Sequence, residues 1–164
     1  MFKRKLVMQI ADRLNEPRRF MQIVAGARQT GKTTAVLQAL ESLNAPNHFV
    51  SADEPGIAGK EWLRNEWEQT RVLAKNKEGA VLVVDEIQKI PEWSSMVKLL
   101  WDEDTRIKTP MKVILTGSSP LLLQKELTES LIGRFEVLYS PHWSFAECKE
   151  TFGYNLEEFL FFGG

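Results

Sequence analysis

Gly26-Ala27-Arg28-Gln29-Thr30-Gly31-Lys32-Thr33-Thr34 stands between an apolar run, Met21-Gln22-Ile23-Val24, and a stretch in which Val36, Ala39, Leu40 and Leu43 recur at i, i+3, i+4, i+7. The first run reads as a buried strand and the second as a helix with one apolar face. Between them, the spacing Gly, four residues, Gly, Lys, Thr is that of a loop that wraps phosphate. Its glycines let consecutive backbone N–H groups turn toward an anion. Lys32 carries its charge on a stem long enough to reach the outer phosphates, and Thr33 offers a hydroxyl to Mg²⁺. The helix behind the loop aims its positive end at the same anion. A nucleotide is the expected ligand of Gly26 through Thr34.

A second stretch supports this reading. Ala80-Val81-Leu82-Val83-Val84 is continuously apolar, as expected of a central parallel strand buried on both faces, and it delivers Asp85-Glu86 to the carboxyl edge of the sheet. Ligands of parallel α/β sheets bind beyond that edge. Beside a phosphate loop, Asp85 reads as the Mg²⁺ partner, direct or through water, and Glu86 as the residue that polarises an attacking water. The fourth expected strand, Lys112-Val113-Ile114-Leu115-Thr116, ends in Thr116-Gly117-Ser118-Ser119. Hydroxyls there either meet the γ-phosphate or the lytic water, or cap the next helix. Asp53 and Glu54, after the strand His48-Phe49-Val50, lie either near the nucleotide or in a solvated turn.

The remaining segments alternate helix and strand. Leu6, Ile10 and Leu14 predict an amphipathic helix ended by Pro17. Leu63, Trp67, Thr70 and Ala74 define a helical face within Gly59 to Asn76, where Trp62 and Trp67 serve packing or, alternatively, stack on adenine. Trp93, Val97, Leu100 and Trp101 define another helix, and Leu123, Leu127 and Leu131 a third that stops at Gly133. Phe135 to Tyr139 is the fifth strand, Ser144-Phe145-Ala146-Glu147 a capping box, and Asn155 to Phe162 a last apolar helix.

Composition sets the outer bounds. The 164 residues carry 21 lysines and arginines against 22 acids, a net charge of −1, which gives no whole-domain sign of a nucleic-acid or membrane partner. Arg18-Arg19 reads as a solvated pair or a nucleic-acid contact. One cysteine, Cys148, and two histidines leave no disulfide framework or zinc cluster, so a reducing, cytoplasmic setting is expected. Lys3-Arg4-Lys5 resembles a basic leader, but Gln9 and Asp12 interrupt the apolar stretch behind it.

Taken together, Gly26 to Thr34, Asp85-Glu86-Ile87-Gln88, Leu115-Thr116-Gly117-Ser118-Ser119, and Leu131-Ile132-Gly133-Arg134-Phe135 followed by Trp143-Ser144-Phe145-Ala146-Glu147 resemble the AAA-type phosphate-loop ATPases, within them a set of bacterial and archaeal ATPases. The resemblance spans Gln22 to about Glu147. It implies a three-layer α/β/α sandwich on a five-stranded parallel sheet in the order 5-1-4-3-2, with ATP and Mg²⁺ bound. By resemblance, Lys32 and Thr33 hold phosphate and Mg²⁺, Asp85 is the acidic Mg²⁺ partner, and Glu86 is the catalytic base. Thr116 is the polar sensor on the strand between the first two motifs. Arg134 resembles an arginine finger, supplied in cis or in trans by a self-associating neighbour; its other reading is a cation at a helix end. Members of the group usually continue into a helical lid and a C-terminal domain. The chain is expected to be one core, with a helix in 1–17, the nucleotide-binding core in 18–147 and a helical segment in 148–164, cut from something longer.

Three functions fit these residues. The first is an ATPase that passes conformational change to a partner or further domain; the second is a nucleotide-gated switch with little turnover. A small-molecule or polynucleotide kinase is the third, disfavoured because no basic lid segment is visible and adjacent Asp85-Glu86 suit water as nucleophile. A nucleic-acid motor lacks a basic stripe.

Overall fold

Burial along the strands shows what organises the chain. In the computed structural model, which describes residues 4–53, 56, 59–76, 79–118 and 120–162, β1 (Met21–Ala25), β3 (Ala80–Asp85) and all but Lys112 of β4 (Met111–Gly117) are buried, whereas β2 (Asn47–Ser51) and β5 (Phe135–Tyr139) are largely half-exposed. Continuous apolar runs therefore occupy the centre and weaker ones the edges, as a sheet covered on both faces requires. All pairings are parallel, and the order is β2-β3-β4-β1-β5, the expected order read from the other edge.

Alternation along each strand divides the core in two. Met21, Ile23, Leu82, Val84 and Leu115 face α3 (Lys60–Asn76), α4 (Trp93–Ile107) and α5 (Pro120–Ser130). Val24, Val81, Val83 and Ile114 face α1 (Lys5–Asn15) and α2 (Lys32–Glu41). This is the three-layer α/β/α sandwich of phosphate-loop nucleotidases. The expected helical faces are the buried ones: Leu6, Ile10 and Leu14; Leu63, Trp67, Thr70 and Ala74; Trp93, Val97, Leu100 and Trp101; Leu123, Leu127 and Leu131. The capping box of α6 (Phe145–Phe152) is formed, Ser144 Oγ accepting from the Glu147 N–H while Glu147 accepts from the Ser144 N–H. A last helix, α7 (Leu156–Phe162), packs lightly on α6 and leaves Leu160, Phe161 and Phe162 exposed.

Trp67 is a packing residue with a polar anchor. Its ring is fully buried, and Nε1 donates to Asp104 Oδ2 at 2.7 Å. Arg71 donates to the other oxygen of Asp104 at 2.7 Å and to the Leu100 carbonyl at 3.1 Å. A carboxylate with 0% exposure thus joins α3 to α4. Asp104→Ala would leave the buried indole N–H without a partner while Arg71 keeps Glu68 and Glu103, which costs about 1–3 kcal/mol. The fall in urea midpoint at unchanged slope measures it.

Candidate functional site

The ends of β1, β3 and β4 meet at the carboxyl edge. β4 lies between the other two, so Thr116 stands between the loop that follows Ala25 and the acids that follow Val84. Thr33 Oγ1, in the first turn of α2, lies 3.1 and 3.2 Å from the two carboxylate oxygens of Asp85. The Thr116 hydroxyl also donates to Asp85 Oδ1 and accepts from the Glu86 N–H at 3.2 Å. Residues 33, 85, 86 and 116 form one polar knot, with Thr116 fully buried and Asp85 only 8% exposed.

The loop is shaped by two glycines. Gly31 has φ +78°, a left-handed conformation that a side chain resists. At Gly26 the constraint is contact, since a methyl there would stand 2.3 Å from the Ser140 carbonyl oxygen. Lys32 is buried, and its Nζ spans the loop to the Ala27 carbonyl at 2.6 Å. Burial lowers its ammonium pKa from the ordinary value, opposed by the Glu86 and Asp85 carboxylates. A cavity of about 520 Å³ opens over the loop, walled by Arg28, Gln29, Lys32 and Thr33 on one side and Asp53, Glu86 and Lys89 on the other. Asp53 reaches this wall paired with Lys89, which sequence reading passed over; Glu54 and Ser119 lie outside the described residues.

Chemically, the site suits a phosphorylated ligand with a hard cation. Thr33 and Asp85 offer hydroxyl and carboxylate oxygen, the donors Mg²⁺ takes, and Mg²⁺ fills its remaining positions with phosphate and water rather than a protein cage.

Arg134 is elsewhere. Its carbonyl accepts from the Met21 N–H at the amino end of β1, and Phe135 pairs with Met21. At about 3.3 Å per residue, roughly 13 Å of strand separates that edge from Ala25 and the loop. The guanidinium there forms a two-pronged pair with Asp102 of α4, Nε–Oδ1 at 2.7 Å and Nη2–Oδ2 at 2.9 Å. The cis alternative for Arg134 is therefore corrected: topology puts it at the wrong end of its own sheet. A cavity of about 530 Å³ also lies at this edge, where Arg13, Arg18 and Lys112 are each committed to protein acceptors. Arg18 lies over the Trp101 ring at 3.6 Å and donates to the Met111 and Trp101 carbonyls; Lys112 donates to those of Leu14 and Glu16. Arg18 is thus neither a solvated cation nor a free phosphate contact.

Arg4 is the residue whose importance the sequence hid. It is 5% exposed, donates to the Thr30 carbonyl at 2.6 Å and the Pro141 carbonyl at 3.0 Å, and pairs with Glu147 at 2.9 Å. Its guanidinium lies 4.8 Å from the Trp143 ring centroid. Holding Thr30 by its carbonyl fixes one peptide of the loop from behind. No local pattern marks a partner 143 residues away.

A phosphate loop, an acid at the end of a neighbouring buried strand and a polar residue between them define the phosphate-loop class of nucleotide-binding domains. The family model described as an AAA domain matches residues 18–149, and the chain belongs to that family. An uncharacterized protein of Haemophilus influenzae is 23% identical over 144 residues, covering 78% of this chain and 32% of its own length. The chain thus spans about a third of that relative. No helix among the described residues is long and apolar enough to cross a membrane.

Arg4→Lys keeps the charge beside Glu147 but cannot reach both carbonyls in the same fork. Amide hydrogen exchange over Arg28 to Lys32 is expected to rise at least several-fold while that of β3 stays unchanged. Equal protection in the loop would show that the brace does not hold it.

Proposed function

We propose that this domain binds Mg²⁺-ATP and hydrolyses it, using the free energy to change the conformation of a partner or of a further domain. The observation that carries the reading is the Thr33–Asp85 contact, which brings a hydroxyl and a carboxylate together within reach of Lys32 and beside Glu86. Thr33 and Asp85 would hold Mg²⁺, which when bound would supply positive charge to the phosphates. Lys32 adds its ammonium on the loop side, and the N–H groups of Gly26 to Thr34 cradle the phosphates. Water attacks the γ-phosphorus as the bond to the β–γ bridging oxygen breaks. ADP leaves with that oxygen and its electron pair, and the water proton passes to the Glu86 carboxylate. Thr116 fixes both acids by its two hydrogen bonds.

Arg134 is proposed to act only on the nucleotide of a second copy. To do so it must leave Asp102, whose carboxyl it holds below the usual range by hydrogen bonding. Adjacent Asp85 and Glu86 favour water as the acceptor.

Lys32→Ala is expected to abolish ATP binding in calorimetry. Glu86→Gln should spare binding and lower turnover by about 10²–10⁴, the usual worth of a positioned general base. Turnover that survives Glu86→Gln, or binding that survives Lys32→Ala, would contradict the assignments.

A further inference from the structure

Asp85 and Glu86 are adjacent, yet their side chains meet different partners. The chain turns between them because Glu86 is left-handed, φ 55° and ψ 43°, a conformation that residues with a Cβ avoid unless their surroundings impose it. The turn sends Asp85 toward Thr33 and Thr116 and Glu86 toward a second set of groups. Ser118 Oγ donates to Glu86 Oε2 at 2.6 Å, and Gln88 Nε2 donates to the same oxygen at 2.5 Å. Gln88 Nε2 also lies 3.1 Å from Ser118 Oγ, which closes a triangle.

We propose that Gln88 and Ser118 are positioning residues that grip Glu86 by Oε2 and so reserve Oε1 for the attacking water. Both donors converge on one oxygen, and among the described residues no protein donor meets the other. A carboxylate fixed at one oxygen keeps its rotamer while the second stays available to accept a proton. The cost of the arrangement is visible in Gln88, whose Oε1 is buried without a partner. Exchanging the amide's oxygen and nitrogen would set Oε1 against the Glu86 carboxylate, two acceptors face to face. The side chain therefore tolerates an unpaired carbonyl in order to present its NH₂ to Glu86. A residue that merely filled space would carry no such orphaned group. Thr116 holds the Glu86 backbone from β4, and Ser118 follows directly after that strand, so this one strand end positions the base by both its main chain and its side chain.

The inference rests on the hydrolytic reading, and the test separates the two. Steady-state ATP turnover is measured on the whole chain with Ser118→Ala, Gln88→Leu and the conservative Ser118→Thr, with Glu86→Gln setting the floor. Ser118→Ala and Gln88→Leu are each expected to lower kcat about tenfold or more with KM and Tm nearly unchanged, and Ser118→Thr to restore most of it. Unchanged kcat in both variants, or a joint loss of affinity and stability that Thr does not rescue, would overturn the proposal. In parallel, the Gln88 side-chain amide resonances of the nucleotide-free protein should move on Glu86→Gln. If they do not, the grip is absent while hydrolysis can still stand. If they move but the wild-type chain turns over no faster than Glu86→Gln, hydrolysis fails and the positioning role falls with it.

Discussion

The carboxylate of Asp85 is almost wholly removed from water, and two hydroxyls from different elements reach it. A buried acid in that state is tolerable only when its oxygens are paired. The requirement ties the first turn of α2 to the end of β3 and the end of β3 to β4. Three segments far apart in sequence are thereby held at one point, and the loop, the acids and the cavity take their places around it. Lys32 completes the balance, its buried cation facing the two carboxylates that oppose its loss of charge.

Support for the loop comes from behind as well. Arg4 joins the start of α1, the loop carbonyl of Thr30, the segment after β5 and the first turn of α6. Burial pushes the Glu147 carboxyl up, but hydrogen bonds from Arg4 and Ser144 outweigh it and hold the group below its ordinary range. Glu147 therefore serves both the capping box and the brace. The Thr30 carbonyl of the loop is thus linked through Arg4 to the first turn of α6.

Much of this was legible in the sequence because it depends on short-range pattern. Strand runs such as Ala80 to Val84, helical faces such as Leu63, Trp67, Thr70 and Ala74, and the spacing from Gly26 to Thr33 all encode burial within a few residues. Strand order came from the family resemblance, not from the residues themselves. What escaped was pairing across the chain. Arg4 carries no role in the sequence reading, where the leader it resembles is excluded, because its partners Thr30, Pro141 and Glu147 lie far along the chain. Arg18 looked solvated because Trp101 and Met111, which cover it, lie on other elements. Arg134 resembled a finger, and only the parallel register of β5 on β1 reveals that it faces the far edge. Gln88 carries no role in the sequence reading, and Ser118 only that of a hydroxyl near the γ-phosphate or a helix cap, because their meeting on Glu86 requires the turn there.

Asp85 and Thr33 are proposed as the Mg²⁺ side of a nucleotide site, which calorimetric binding of ATP to the wild-type chain and to Asp85→Asn, each with and without Mg²⁺, tests most directly. Mg²⁺ is expected to tighten binding at least tenfold in the wild type, and Asp85→Asn to keep the Mg²⁺-free affinity while losing the tightening. Tightening that persists in Asp85→Asn, or no binding to the wild-type chain at all, would contradict it.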